Sequence, residues 1–179
     1  TTNVVISAAS SAAQVAATTI TGTDAANVVF RGALGVVSFE GYALLPNGVL
    51  YISDENRPGN GNPGGAIFKF IPSTLWTPGA PAITDLAQSP FASGTLWGMR
   101  VGRNSGNTDF GQGNEFGRGV WVSVPTSTNA APTNLRGQAA TLKLTSYYRP
   151  EDMDIDLKSL AAGNVRFCGT NTGQDSSAS

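Results

Sequence analysis

Two short apolar segments separated by a polar turn give the clearest structural signal in the sequence. Tyr42 to Leu45 and Val49 to Ser53 are mainly apolar and favour β-strands, and Pro46-Asn47-Gly48 lies between them. Asparagine and glycine tolerate the positive φ angles that a two-residue hairpin turn requires. The pattern therefore predicts a β-hairpin with a tight turn at Asn47-Gly48.

The segments after the hairpin extend it into a meander. Asp54 to Gly65 consists largely of Gly, Pro, Asn and charged residues. This composition predicts a loop, because proline lacks an amide donor and glycine is entropically costly in regular structure. Ala66 to Ile71 is again apolar and predicts a third antiparallel strand. Carboxylates occupy two corners of the meander, with Glu40 before the first strand and Asp54 and Glu55 after the second.

The rest of the chain continues the alternation of apolar segments and polar loops. Gly102 to Gly119 is rich in glycine but lacks the Gly-Lys-Ser/Thr ending of a phosphate-binding P-loop, so it is predicted to be a surface loop. Gln138 to Leu144 fits either a strand or a short helix. Further strands are predicted at Thr95 to Val101, Val120 to Val124 and Gly163 to Gly169.

Composition supports an all-β fold with many turns. The chain has 179 residues, 22 of them Gly and 10 of them Pro, and its charged fraction of 13% is about half the usual share. This length is sufficient for one hydrophobic core of ordinary size. Residues 1–30 are mostly Ala, Ser, Thr and Val and are interpreted as a low-complexity segment, which leaves residues 31–179 for the β domain.

Charge and targeting signals narrow the range of functions. A net charge of −1 and a pI near 5.3 argue against nucleic acid as a partner, because no basic stripe is present to neutralise phosphates. No apolar run approaches the roughly 18 residues that a membrane helix needs, so no transmembrane segment is predicted. The chain begins at Thr1 rather than Met, which is typical of a processed exported protein or of a fragment.

The absence of histidine restricts the chemistry that the chain can perform. It excludes histidine general acid-base catalysis, histidine zinc sites and the common catalytic triads. A metal site would need oxygen ligands or Cys168, the single cysteine, which also rules out an internal disulfide. Cys168 is predicted to be a small buried residue, with a metal-ligating or reactive thiol as the alternative.

Tyr147 to Leu157 combines an arginine, a proline and a series of carboxylates. Pro150 disfavours helical backbone at Arg149 and predicts that this residue is extended, so that Arg149 and Glu151 share one face. The aspartates at 152, 154 and 156 alternate with apolar residues, which indicates an acidic face opposite a buried one. That acidic face is either a solvated strand surface or a calcium site.

Segments along most of the chain resemble the PhoX-type secreted alkaline phosphatases. The resemblance covers roughly residues 35 to 175, with the segments in family order. They are Phe39-Glu40-Gly41, Ile52-Ser53-Asp54-Glu55-Asn56, Phe68-Lys69-Phe70-Ile71-Pro72, Leu96-Trp97-Gly98-Met99-Arg100-Val101 with the later GQGNEFGRGVWV, and Arg149-Pro150-Glu151-Asp152 with the later Asn171-Thr172-Gly173.

The resemblance implies a β-propeller whose axial site binds calcium and iron and hydrolyses phosphate monoesters. It implies that Arg149 contacts the phosphate, that Glu40 and Glu151 bind metal, and that Asp54 is a further metal-ligand candidate. It also implies export to the periplasm or beyond. A guanidinium offers a planar fork to phosphate oxygens, and carboxylates suit hard cations, so the chemistry is consistent with these roles.

The sequence departs from the family pattern in ways that leave a second hypothesis open. The family's cysteine motif lies upstream of the Phe-Glu-Gly segment and has no match here, and Phe39 stands where catalytic members often have histidine. The family's propeller is also much longer than this chain. The alternative is therefore a non-catalytic exported β-propeller scaffold that binds calcium, or that docks onto a protein partner or the remainder of a longer chain.

Overall fold

The computed structural model describes residues 30–59, 63–81, 83, 86–101 and 119–173. The low-complexity segment predicted for residues 1–30 and the loop predicted for residues 102–119 lie outside these ranges, apart from their last residues. The described strands are β1 (Tyr42–Leu44), β2 (Leu50–Ser53), β3 (Ile67–Pro72), β4 (Gly94–Val101), β5 (Gly119–Ser123), β6 (Pro150–Ile155) and β7 (Phe167–Asn171). The α-helices are α1 (Leu135–Thr141) and α2 (Leu157–Ala161), and short 3-10 helices span Gly32–Leu34, Leu86–Gln88 and Pro90–Ala92.

Strands β1 to β5 form one antiparallel sheet in sequence order. The three strands predicted between residues 42 and 71 are therefore confirmed, as are the two that follow. A separate antiparallel pair, β6 and β7, forms the second sheet. The prediction of a mainly β architecture is confirmed by these strands, and the segment that fitted either a strand or a helix is mostly helical in α1.

The hairpin turn is one residue longer than the sequence predicted. The amide of Gly48 donates to the carbonyl of Leu45, and the amide of Leu45 donates to the carbonyl of Val49, so three residues connect the strands. Gly48 alone takes the left-handed conformation, with a φ of 87°, and the side chain of Asn47 accepts a hydrogen bond from the amide of Val49. A turn followed by a left-handed glycine is the usual three-residue hairpin connection.

Both faces of the five-stranded sheet are covered. Successive residues of a strand point to opposite faces, and apolar residues on each face pack into a separate core. One core lies between the sheet and α1, where Leu135 is fully buried and Leu144 packs so closely on Gly98 that a Cβ there would lie 2.8 Å from a Leu144 methyl. The buried members of this core are Ala33, Leu50, Ile52, Ala66, Phe68, Phe70, Leu96, Val124, Leu135, Ala139 and Leu144.

The second core lies between the opposite face of the sheet and the β6–β7 pair. Tyr51 stacks at 4.8 Å from Phe167 and 5.8 Å from Trp121, which joins β2 to both β7 and β5. Lys69 lies beside Tyr51 in the sheet, with its ammonium 4.4 Å from the centre of the Trp121 ring. This core fixes β6 and β7 against the sheet and thereby positions the start of β6.

Two predictions for the last third of the chain need correction. Cys168 is exposed on β7 rather than buried, because its side of the two-stranded sheet faces solvent. The alternation predicted for the aspartates holds for Asp152 and Asp154, which are exposed on either side of buried Met153, but ends at Asp156. Asp156 instead caps α2 by accepting a hydrogen bond from the amide of Ser159 at 2.9 Å. No helix in the described ranges is long and apolar enough to cross a membrane.

Candidate functional site

Three of the residues predicted to carry function, Glu40, Arg149 and Glu151, lie within electrostatic reach of one another where strands of both sheets begin or end, and Glu55 and Asp152 lie beside them. Glu40 precedes β1, Glu55 follows β2, and Arg149, Glu151 and Asp152 lie at the start of β6. We refer to these five residues as the strand-end cluster.

Close backbone packing holds the strand-end cluster together. Gly41 is buried against β6, where a Cβ would lie 2.6 Å from the Cα of Asp152. Gly65 exchanges two backbone hydrogen bonds with Tyr147, at 3.0 and 2.7 Å. A Cβ on Gly65 would overlap the Asp54 carbonyl oxygen and lie 2.6 Å from Cδ of Pro150. Glycine is therefore required at both positions where the two sheets approach each other.

Arg149 has a left-handed backbone, with a φ of 51°. The prediction that Pro150 makes Arg149 extended is therefore wrong. Two long-range hydrogen bonds fix the observed conformation, because the Arg149 amide donates to the carbonyl of Asn56 and its own carbonyl accepts from the amide of Thr172, both at 3.1 Å. A left-handed non-glycine residue costs about 1 to 2 kcal/mol, so the surrounding structure stabilises an unfavourable local conformation here.

Two carboxylates hold the Arg149 side chain. Its Nε donates to Oε1 of Glu55 at 2.9 Å, and its Nη2 also contacts that oxygen. Nη2 lies 3.5 Å from Oε1 of Glu151, which accepts a further hydrogen bond from the Thr172 hydroxyl. The hydrogen bond to Glu55 is the main reason that the pKa of Arg149 lies above its ordinary value. Arg149 therefore remains a cation in the site.

Glu40 is exposed and lies within the electrostatic reach of the other carboxylates. Glu55 and then Glu151 make the largest contributions to raising the pKa of Glu40 above its ordinary value of 4.5, and Arg149 only partly opposes them. The like charges disfavour ionisation of Glu40. The strand-end cluster thus contains more carboxylates than its single guanidinium neutralises.

We expect Glu40→Gln to stabilise the protein at neutral pH. A folded-state pKa above the unfolded one means that the folded state binds the proton more tightly, so the ionised Glu40 lowers stability once the pH exceeds about 4.5. The gain from Glu40→Gln should vanish as the pH falls below that value. Urea denaturation at acidic and neutral pH measures this, with Asp154→Asn as a control that removes an exposed carboxylate from β6. An equal gain at both pH values would contradict it.

Asp54 lies next to Glu55 but has a different partner. Its side chain is fully buried and accepts from Nε and Nη2 of Arg136 on α1 at 2.9 and 2.8 Å, one bond to each carboxylate oxygen. The Ser38 amide donates to the same carboxylate at 3.3 Å. Arg136 also approaches the carbonyl of Glu55 at 3.4 Å. This pair ties α1 to the end of β2 and fixes the backbone that presents Glu55.

The described residues do not by themselves assemble a metal site. No group of three or more Asp, Glu or Cys side chains within them is arranged to hold a metal ion. Both oxygens of Asp54 are used by Arg136, and Cys168 lies on β7, across from Asp154. The carboxylates of Glu40 and Glu151 have the chemistry that hard cations require, but within the described residues no third Asp, Glu or Cys side chain joins them to complete a metal site.

Comparison with known proteins bears on the fold. Neither a protein-family model nor a curated protein sequence matches the chain. Among solved structures, Pseudomonas fluorescens PhoX in complex with vanadate, a transition-state analogue, aligns with 72% of this chain at a TM-score of 0.50 and 21% sequence identity. The fold is similar to part of PhoX. The resemblance predicted from the sequence is therefore confirmed at the level of the fold, and the chain covers 23% of the length of PhoX.

Sequence reasoning missed two participants in the site. Glu55 was noted only as a corner carboxylate, yet it is the closest partner of Arg149. Arg136 was not considered at all, although it neutralises the buried Asp54. The position of Asp54 directly after a buried strand is a signal that could have indicated such a partner, because a carboxylate removed from water needs a cation beside it.

Proposed function

We propose that the chain provides the phosphate-binding part of a PhoX-like phosphatase acting on phosphate monoesters. The observation that carries this proposal is Arg149, whose guanidinium is held partly exposed where strands of both sheets end. The similarity of the fold to PhoX supports it. In this proposal residues 31–179 form part of an exported, β-propeller-like domain, since an antiparallel meander is the unit from which propeller blades are built.

The chain's own residues bind and orient the substrate in this proposal. Arg149 donates hydrogen bonds to the phosphate oxygens, and its charge is available at every physiological pH. Glu151 and Thr172 restrict the side chain to one direction, because the hydroxyl of Thr172 binds the carboxylate that touches Nη2. A preoriented cation loses less conformational entropy when the phosphate group binds.

The charge of the strand-end cluster explains why such a site would depend on cations. A phosphate dianion approaching Arg149 also approaches Glu40, Glu55 and Glu151, which repel it. In the proposal Glu40 and Glu151 are metal ligands, and bound calcium or iron would offset the carboxylates and polarise the phosphate group. Asp54 fits a ligand role less well, because Arg136 uses both of its oxygens.

A non-catalytic scaffold is the second candidate, and one observation favours it. The Nε–Nη2 edge of Arg149 is already used by Glu55, as in a structural ion pair. In that case Arg149 stabilises the junction of the two sheets, and the strand-end cluster binds calcium or packs against a protein partner or further chain. The two functions differ in whether the loss of Arg149 removes anion binding or only stability.

Replacing Arg149 by Met separates these functions. If Arg149 contacts phosphate, Arg149→Met should weaken the binding of inorganic phosphate at least about tenfold, because a charge-assisted hydrogen bond is lost. Calorimetric titration with and without calcium measures the affinity, and hydrolysis of p-nitrophenyl phosphate measures turnover. Arg166→Met is the matched control, since Arg166 also pairs with a carboxylate, Asp156 at 3.7 Å, but away from the cluster. Phosphate binding that Arg149→Met leaves intact would refute the proposal.

A further inference from the structure

Glu55 occupies the part of Arg149 that suits a phosphate group best. An arginine presents two parallel N–H donors along its Nε–Nη2 edge, which matches two oxygens of one phosphate. In the structure both nitrogens of this edge contact the same oxygen of Glu55, Oε1. A phosphate group that uses this edge must therefore share it with Glu55 or displace Glu55.

The backbone of Arg149 does not rely on Glu55 for its position. Its amide and carbonyl groups are both fixed, by Asn56 and by Thr172, at 3.1 Å. Its Nη2 also lies 3.5 Å from Glu151, which approaches from β6 rather than from the end of β2. Removing the charge of Glu55 would therefore leave the backbone and one side-chain contact of Arg149 in place.

The exposure of the pair allows the exchange. The side chain of Arg149 is 37% exposed and that of Glu55 is 22% exposed, so solvent and a dissolved anion reach both. Because the pair is only partly buried, separating it leaves both charges in contact with water. The large free-energy cost arises only when an unpaired charge remains in the interior. The neighbouring Asp54 differs, because its side chain is fully buried and cannot separate from Arg136 without leaving a buried, unpaired charge.

We propose that Glu55 is an internal competitor, which holds the anion-binding edge of Arg149 in the empty site and yields it to the phosphate group. This inference rests on the proposed phosphate-binding function and adds a regulating residue to it. The Glu55 carboxylate weakens phosphate binding in two ways, by using the donors and by repelling the anion. A residue that merely supports the structure would not oppose ligand binding.

Glu55→Gln should therefore bind inorganic phosphate more tightly than the unmodified protein. The amide has nearly the shape of the carboxylate but no charge, so we expect a gain of about tenfold at low ionic strength. The gain should shrink as salt is added, because screening weakens the repulsion that Glu55 exerts. Glu55→Ala, which removes the competing group entirely, should bind at least as tightly as Glu55→Gln.

Calorimetric titration with inorganic phosphate, with and without calcium, tests the inference on the full chain. Asp154→Asn is the control, because it makes the same change of charge on β6 away from the Arg149 fork, and its affinity should be unchanged. Equal or weaker binding in both Glu55 variants, with Arg149→Met still weakening phosphate binding at least about tenfold, would overturn the competitor role and leave the proposed function standing. Binding that survives Arg149→Met would overturn the proposed function itself.

Discussion

Replacing Gly65 by Ala is expected to destabilise the protein by about 3 kcal/mol or more. The new Cβ would overlap the carbonyl oxygen of Asp54 and lie 2.6 Å from Cδ of Pro150. Both neighbours belong to rigid groups, a backbone carbonyl and a proline ring, so no flexible side chain end can move away. Relief requires the segment before β3 to move away from both the end of β2 and the start of β6, which would disturb the backbone next to Glu55 and Arg149.

The free energy of unfolding from urea denaturation measures the effect of Gly65→Ala. Gly137→Ala is a matched control, because it makes the same substitution in α1, where the nearest atom to a Cβ lies 3.7 Å away. There the change should stabilise the protein by about 0.5 to 1 kcal/mol, since alanine favours a helix. A Gly65→Ala variant as stable as the unmodified protein would show that the two sheets do not approach as closely as described.

Replacing Arg136 by Met is expected to cost about 2 to 3 kcal/mol of stability. The change leaves the fully buried Asp54 carboxylate without its two charged hydrogen bonds. Loss of one partner of a fully buried pair costs about 3 to 5 kcal/mol, and the estimate is reduced here because the Arg136 side chain is 42% exposed. Arg136→Lys should recover only part of the loss, since an ammonium lacks the fork that binds both oxygens.

Urea denaturation compares these variants with Lys158→Met on α2. Lys158 is exposed and forms no ion pair within the described ranges, so its loss should change stability by less than about 0.5 kcal/mol. The Arg136 variants should also loosen the backbone at Glu55, because they remove or weaken the contact of Arg136 with the Glu55 carbonyl. An Arg136→Met variant no less stable than Lys158→Met would mean that Asp54 does not depend on this partner.

Local patterns in the sequence predict the parts of this fold that local physics determines. Apolar runs and an Asn-Gly pair were sufficient to predict the hairpin of β1 and β2, because strand and turn preferences act over a few residues. The same reasoning placed Pro46 between the strands but predicted a two-residue turn, since two- and three-residue connections share the same turn residues. The exposed Asp152 and Asp154 on either side of buried Met153 followed from alternation alone.

The arrangement of the candidate site depends on contacts that no local pattern contains. The conformation of Arg149 is set by Asn56 and Thr172, which are distant in sequence, and their two hydrogen bonds override the extended preference that Pro150 imposes. Arg136 and Asp54 are separated by 82 positions. The resemblance to PhoX pointed to Arg149 and Glu151, but the role of Glu55 emerged only when β2 and β6 were placed side by side.

If Arg149 binds the phosphate group as proposed, its Nε–H resonance in a proton–nitrogen correlation spectrum should respond to phosphate. Arg149→Lys removes that signal and so assigns it. Upon titration of the protein with inorganic phosphate in the presence of calcium, we expect a saturable shift of the Arg149 resonance, which should occur at lower phosphate concentration in Glu55→Gln. The Arg166 signal should remain in place. An Arg149 resonance that phosphate does not move, with or without calcium, would show that Arg149 does not bind the phosphate group.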